Sequence, residues 1–334
     1  MFGTCILCLD SSKPLTKEHI FPEAVGGRIS KYLLCKPCND KLGHWVDGPY
    51  VDQKHIQLAR ATYKIQGKTG KVPQPFSDTF SLDDSEFTQK IKLDSNFSPI
   101  VVPQAPKVSI TENGGIRLNL SCDVRDKERI PQVIRATLSR FFRSAAGMRF
   151  GLSEEKKEKA IRWIIEEAKE VPSKSEQIQS PLEGSWAIDL KALFTEHIKV
   201  IYEVCCVEFG EHFRDDASAQ RLRMFLQAQC TEDPEPWDLN EVTKHLHVAL
   251  QVPPDIDGFI NYLTDNNPHA YHVAIVTATG VICSMLGRGA VFHIQDFQHI
   301  AAFSDIAKVY LSSINDGRSG VFTLGELIIN SNEL

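Results

Sequence analysis

No apolar run in this chain approaches the roughly 18 residues that a membrane-spanning helix needs, so a helical membrane protein is not expected. The opening residues, MFGTCILCLD, lack both a basic region and a cleavage site, and no secretory signal is expected either. There is no glycine-rich phosphate loop, no Ser-His-Asp set and no repeat period. Net positive charge is also missing: 37 Lys and Arg face 43 Asp and Glu, a balance of −6. That argues against a protein that coats nucleic acid over its whole surface. A disulfide framework is lacking too, since Cys122, Cys205, Cys206, Cys230 and Cys283 follow no regular spacing and are odd in number. A reducing cytoplasm is the expected setting. What remains, 334 residues at 42% apolar and 24% charged, is ordinary globular composition with room for a small module and one or two larger domains.

The informative chemistry is concentrated at one end. Cys5-x-x-Cys8 and Cys35-x-x-Cys38 supply four thiolates, enough to close a tetrahedral zinc site with no position left for water. Such a zinc is structural. Between the pairs lie Glu18, His19 and Ile20, and Asn39 follows the fourth cysteine directly. A zinc-clamped hairpin would hold this acid, imidazole and carboxamide in one place. The cysteine spacing alone is equally compatible with a zinc ribbon that has no catalytic role.

The run CILC, then LTKEHIFPEAVGG, then YLLCKPCNDKLG resembles the HNH endonucleases. In that family a ββα-metal finger pairs an acid-His-hydrophobic-x-Pro strand with a Cys-x-x-Cys-Asn turn. The resemblance covers about residues 1–60. It implies that His19 is the general base that takes a proton from the attacking water. It implies that Glu18 and Asn39 hold a catalytic Mg²⁺ or Mn²⁺, while Cys5, Cys8, Cys35 and Cys38 hold structural Zn²⁺. A hard cation of this kind polarises a phosphate oxygen and stabilises the leaving oxygen. Ser30 stands nine positions before Asn39, where the family usually carries an Asn that braces the loop. The implied activity is endonucleolytic hydrolysis, in DNA with RNA as the alternative, leaving a 5′ phosphate, in a prokaryotic or phage-defence setting. The competing expectation is a zinc-stabilised nucleic-acid-binding or partner-binding regulatory protein, its finger inert or awaiting a partner.

Around the motif, His44 reads as a surface histidine on a helix and Asp47, before Gly48-Pro49, as a cap or turn residue. Residues 1–75 carry eleven Lys and Arg against six Asp and Glu, a surplus of +5 that leaves −11 for the other 259 residues. The basic end thus coincides with the candidate site, as phosphate binding requires. Arg60, Lys64, Lys68 and Lys71 form a run within it, with Tyr63 among them as a candidate stacking residue.

Residues 73–106 mix prolines, serines and acids and read as a linker or irregular strands. A hairpin is expected across Asn113-Gly114-Gly115. Helices are expected from about Pro131, through SEEKKEKAIRWIIEEAKE with Ser153 as cap, from Asp189 to Phe209 with a stop at Gly210, and over ASAQRLRMFLQAQ. From about residue 244 the pattern turns to strands, which places His245 and His247 on one face, with His269, His272 and His293 nearby; core or cross-strand roles suit these better than a metal site. Glu196-His197, inside an apolar helix, reads as core or interface rather than as a second acid-His pair. The expected fold is α+β: an N-terminal ββα-metal HNH zinc finger (1–72), a linker (73–106), and a larger mixed domain (107–334) that recognises a signal, a protein partner, a second copy or the DNA target.

Overall fold

The computed structural model describes residues 3–67, 70–76, 80–82, 89–94, 98–102, 105–120, 123–170, 187–250, 254–264, 266–277, 279–293, 307–315 and 317–330. After a turn carrying the first cysteine pair, β1 (Leu15–His19) and β2 (Ser30–Cys35) form an antiparallel hairpin. Leu15 faces Cys35, His19 faces Ser30, and a bulge falls between Thr16 and Lys17. The connecting loop explains the paired glycines. Gly26 has φ 95°, open to glycine at no cost, and a side chain on Gly27 would meet the Phe21 carbonyl oxygen at 2.0 Å. Directly from Cys35 runs α1 (Lys36–Leu42), with a proline in its first turn, and it widens into a π-type turn over Gly43–Asp47. Then come α2 (Gly48–Val51) and α3 (Lys54–Thr62).

Contacts group the chain into two compact units, one of Met1–Pro75 with Trp186–Leu334 and one of Phe76–Ser185. The division falls elsewhere than composition suggests. The second unit holds β3 (Phe80–Leu82), β4 (Gln89–Leu93) and β5 (Pro99–Val101) in one antiparallel sheet, and the expected hairpin as β6 (Lys107–Ile110) and β7 (Ile116–Asn119). Its helices are α4 (Ile130–Arg143), α5 (Ala145–Met148) and α6 (Glu154–Glu170). Ile134, Leu138 and Phe142 recur at helical spacing on α4 and bury against Ile161 and Ile165 of α6.

In the first unit the chain resumes with α7 (Leu190–Arg214), capped by the Asp189 carboxylate, which accepts from the Lys191 and Ala192 amides. Gly210, at φ 64° and ψ −144°, is non-helical, so the first helical segment stops where expected and a second short one continues across the kink to Arg214. There follow α8 (Ala217–Gln229), α9 (Leu239–Leu246), β8 (Val248–Ala249), α10 (Pro254–Leu263), β9 (Tyr271–Thr277), β10 (Gly280–Met285), β11 (Arg288–His293), β12 (Lys308–Ser313), β13 (Ser319–Thr323) and α11 (Leu324–Asn330). The six strands lie in the order β13-β12-β9-β10-β11-β8, all antiparallel. Ala274, Val276, Val281, Cys283, Met285 and Tyr310 join the core that contains α7, while Val273, Ile275, Val309 and Leu311 join a second core with Ile260 of α10. Two covered faces account for strands that are apolar almost throughout. The strand expectation fails at its start: His245 lies in α9 and His247 is its left-handed cap at φ 56°, so the two do not share a strand face. A short helix with a capping Asp238 wins there.

The finger is part of this core rather than an appendage, and Ile6, Phe21, Leu33 and Val46 are buried in the cluster that holds α7. Tyr202 donates its hydroxyl to the Ile6 carbonyl, Gln227 Nε2 donates to the Leu7 carbonyl at 2.6 Å, and the Arg28 amide donates to Ser312 Oγ at 3.1 Å. His272 of β9 stacks on Phe21 and reaches the Val25 carbonyl through Nε2 at 2.9 Å. Burial pushes its pKa down to about 4, against the hydrogen bond to Val25 that raises it. An unfolded histidine binds its proton near pH 6.5, so below that pH the unfolded chain holds more protons and stability falls as pH drops towards 4. From pH 7 to pH 5 this group alone is expected to remove about 2 kcal/mol. Urea denaturation at the two pH values measures the loss, which should shrink in His272→Gln.

Candidate functional site

The four cysteines sit where the chain turns into β1 and where β2 passes into α1, so hairpin closure brings the pairs together. All four Sγ atoms lie within 4.8 Å of one another, with Cys8 and Cys35 3.7 Å apart. Tetrahedral zinc with Zn–S bonds of about 2.3 Å requires S–S edges of about 3.8 Å. The arrangement fits zinc and leaves no fifth position. None of the four is in a disulfide. Burial pushes the Cys5 and Cys38 thiols up, so it is a cation that would keep them ionised.

Strand alternation separates the acid-His pair. His19 shares a face with Ser30, Lys17 and Tyr32, the last two directly opposite each other. Lys17 is exposed, Tyr32 is 63% exposed, and the His19 side chain is 25% exposed with Nδ1 4.0 Å from Glu23 Oε2. Asn39 Nδ2 donates to Thr16 Oγ1 and to the Lys17 carbonyl, both at 3.1 Å, which braces α1 against β1 at the bulge. Thr16 Oγ1 in turn donates to the Leu34 carbonyl.

Glu18 points the other way. It is buried, and its Oε1 lies 2.8 Å from Nζ of Lys199, a residue of α7 with no exposed surface. The same Nζ lies 2.7 Å from Asp47 Oδ1. Asp47 closes the π-type turn and stands at the N-cap position of α2, as expected of a cap or turn residue, but its side chain makes no capping bond and pairs with Lys199 instead. Burial alone would lower the Lys199 amine, but the carboxylates of Asp47 and Glu18 outweigh it and keep the ammonium protonated. Glu196 and Glu203 flank Lys199 at helical spacing, fully buried, and the Asp47 carboxylate lies beside Glu196. Burial pushes both carboxyls well up, so they stay neutral. A divalent cation does not fit Glu18 as it stands, because an ammonium already holds the carboxylate. Asn39 donates through its nitrogen to Thr16 and Lys17, which leaves its carbonyl oxygen, the atom a hard cation would take, outside these bonds. Sequence reading passed over Lys199, although Glu196, Lys199 and Glu203 at steps of three and four inside an apolar helix are a legible signal.

Of the expected basic run, two described members reach the surface and one does not. Arg60 is buried, which lowers its pKa, and Lys68 lies outside the described residues. Tyr63 is packed against the core and donates its hydroxyl to Asn267 Oδ1 at 3.2 Å. Lys64 and Lys71 are exposed, as is His44. Exposed cations nearer His19 are Lys17 and Lys31, and Lys36, which pairs with Asp40. Two further histidines are structural: His197 is buried between the Leu193 and Arg288 carbonyls, and His269 Nδ1 meets the Leu286 carbonyl at 3.0 Å.

Residues 5–55 match the family model described as HNH endonuclease, so the N-terminal segment is an HNH domain, followed by a larger α/β region. No curated protein and no solved structure gives a match to the chain. Among the described residues no helix is long and apolar enough to cross a membrane.

Elemental analysis of the purified chain is expected to give one zinc per chain, lost in Cys38→Ser. Because the sulfurs close the finger onto the core, chelation should lower the melting temperature, and re-added Zn²⁺ should restore it.

Proposed function

We propose that the finger hydrolyses phosphodiester bonds in DNA as an HNH endonuclease, with His19 drawing the proton from the attacking water and a 5′ phosphate left on the product. The observation that carries this reading is the placement of His19. It lies on the open face of a hairpin clamped at one end by four sulfurs and braced at the bulge by Asn39. An imidazole is suited to accept a proton near neutral pH, and the Glu23 carboxylate stands 4.0 Å from Nδ1. The nucleic acid would lie across the same face, with Lys17 on a phosphate and the Tyr32 ring on a base or sugar. Mg²⁺ or Mn²⁺ is the cofactor the family match brings to this reading, and no step here is assigned to it through Glu18. A prokaryotic or phage-defence role belongs to the same reading and rests on the family alone.

A second reading, a nucleic-acid-binding or partner-binding protein with an inert finger, is favoured by one observation: the acid of the acid-His pair is already neutralised by Lys199.

Supercoiled plasmid incubated with the chain and Mg²⁺ or Mn²⁺ is expected to be nicked or linearised, and His19→Ala to lose at least about a hundredfold in rate with an unchanged melting temperature. Intact plasmid with both proteins would favour the second reading. Fluorescence anisotropy with a labelled oligonucleotide, in the His19→Ala background without divalent ions, tests the surface separately. Tyr32→Ala is expected to weaken binding by about 1–3 kcal/mol, and Lys17→Ala to reduce the salt slope by about 1.

A further inference from the structure

Lys199 sits between two carboxylates of the finger and two of its own helix. Glu18 and Asp47 lie within 2.8 Å of its Nζ, and Glu196 and Glu203 are one turn to either side on α7. A buried ammonium in contact with a carboxylate does the electrostatic work that a metal ion does elsewhere. Bringing a doubly charged ion to Glu18 would set it beside that ammonium in a site of low dielectric, where like charges repel strongly.

We infer that Lys199 is a fixed internal cation of the finger, and that Glu18 is a positioning residue anchored to it rather than a ligand of a catalytic ion. Resting on the assignment of His19 as base, this explains how the base is presented. Successive residues of a strand face opposite ways. With Glu18 tied inward to α7, the strand cannot rotate about its axis, and His19 is held outward beside Lys17 and Tyr32. Asp47, at the end of the π-type turn, ties the C-terminal side of α1 to the same nitrogen, so one ammonium fixes both the strand that carries His19 and the helix that carries Asn39. Asn39 completes the brace by bonding back to the Lys17 carbonyl, next to Glu18 in the chain.

The test is a double-mutant cycle on the full chain with Glu18→Gln, Lys199→Met and both together. Thermal unfolding, Mn²⁺ binding followed by electron paramagnetic resonance, and kcat and KM for plasmid cleavage are read for each. Lys199→Met leaves Glu18 and Asp47 without their cation and is expected to lower the melting temperature by about 10 °C, while Glu18→Gln, which leaves Lys199 on Asp47, should lower it less. The double variant relieves the stranded Glu18 charge and should recover part of the Lys199→Met loss, with Asp47 accounting for the remainder. It should also bind Mn²⁺ as the wild type does, with KM unchanged and kcat within about tenfold. Glu18→Gln alone, where enough folds, should lose kcat rather than KM, as a misplaced base would. Additive losses in melting temperature would overturn the anchor. So would a folded double variant whose Mn²⁺ affinity has dropped tenfold or more and whose cleavage is gone, since Glu18 would then be a ligand. If the wild type cleaves nothing, the nuclease reading fails, while the melting cycle and the Mn²⁺ titration still decide the anchor.

Discussion

An ammonium with no exposure must find its counter-charges inside the protein, and Lys199 finds them on a segment far away in sequence. That requirement organises the first unit. Glu18 and Asp47 must both reach α7, which fixes the hairpin and the π-type turn against the same helix face. Around this polar centre the packing is apolar and continuous, from Ile6 and Phe21 of the finger to Val281 and Met285 of the sheet. Breaking the pair on one side leaves a charge that nothing else in the core can solvate. Glu196 and Glu203, held neutral by burial, add no further charge to balance.

The four-sulfur cluster, which fits a zinc ion, is a second constraint of a different kind. It is local, closing a loop of about thirty residues with four sulfurs and needing no partner from the rest of the chain. The ion pair is non-local and is met only when α7 is in place. The finger therefore carries one device that shapes it and another that docks it, and they meet on β1, where Asn39, next to a cysteine ligand, holds the strand that carries Glu18.

Legibility in the sequence followed the range of the interaction. The cysteine pairs, the acid-His-Pro run and the paired glycines are short-range signals, and the hairpin, the following helix and the sulfur cluster stand where they were expected. Periodicity placed α4, α6 and α8 well, since Ile134, Leu138 and Phe142 announce a buried stripe by themselves. The strands from Tyr271 to Ser313 were legible as apolar runs, but not their pairing with β13, whose residues are half-exposed. Roles set by distant partners were not legible. Glu18 looked like a ligand because its neighbour in sequence is His19; its neighbour in space is Lys199. Arg60 and Tyr63 looked like surface residues because lysines surround them in sequence, and α3 turns them towards the core. The face that carries His19, Lys17 and Tyr32 needed the strand register to be seen.

Ribosomes deliver this architecture in order, and the order matters for the ion pair. Asp47 and Lys199 are 152 residues apart, so at about 5–20 residues per second the lysine follows the aspartate by roughly 8–30 s. Throughout that interval Glu18 and Asp47 are carboxylates without their ammonium, and zinc is the one restraint the nascent finger can acquire unaided. A newly made chain thus passes through a stage in which the carboxylates of Glu18 and Asp47 have been made and the ammonium that pairs with them has not.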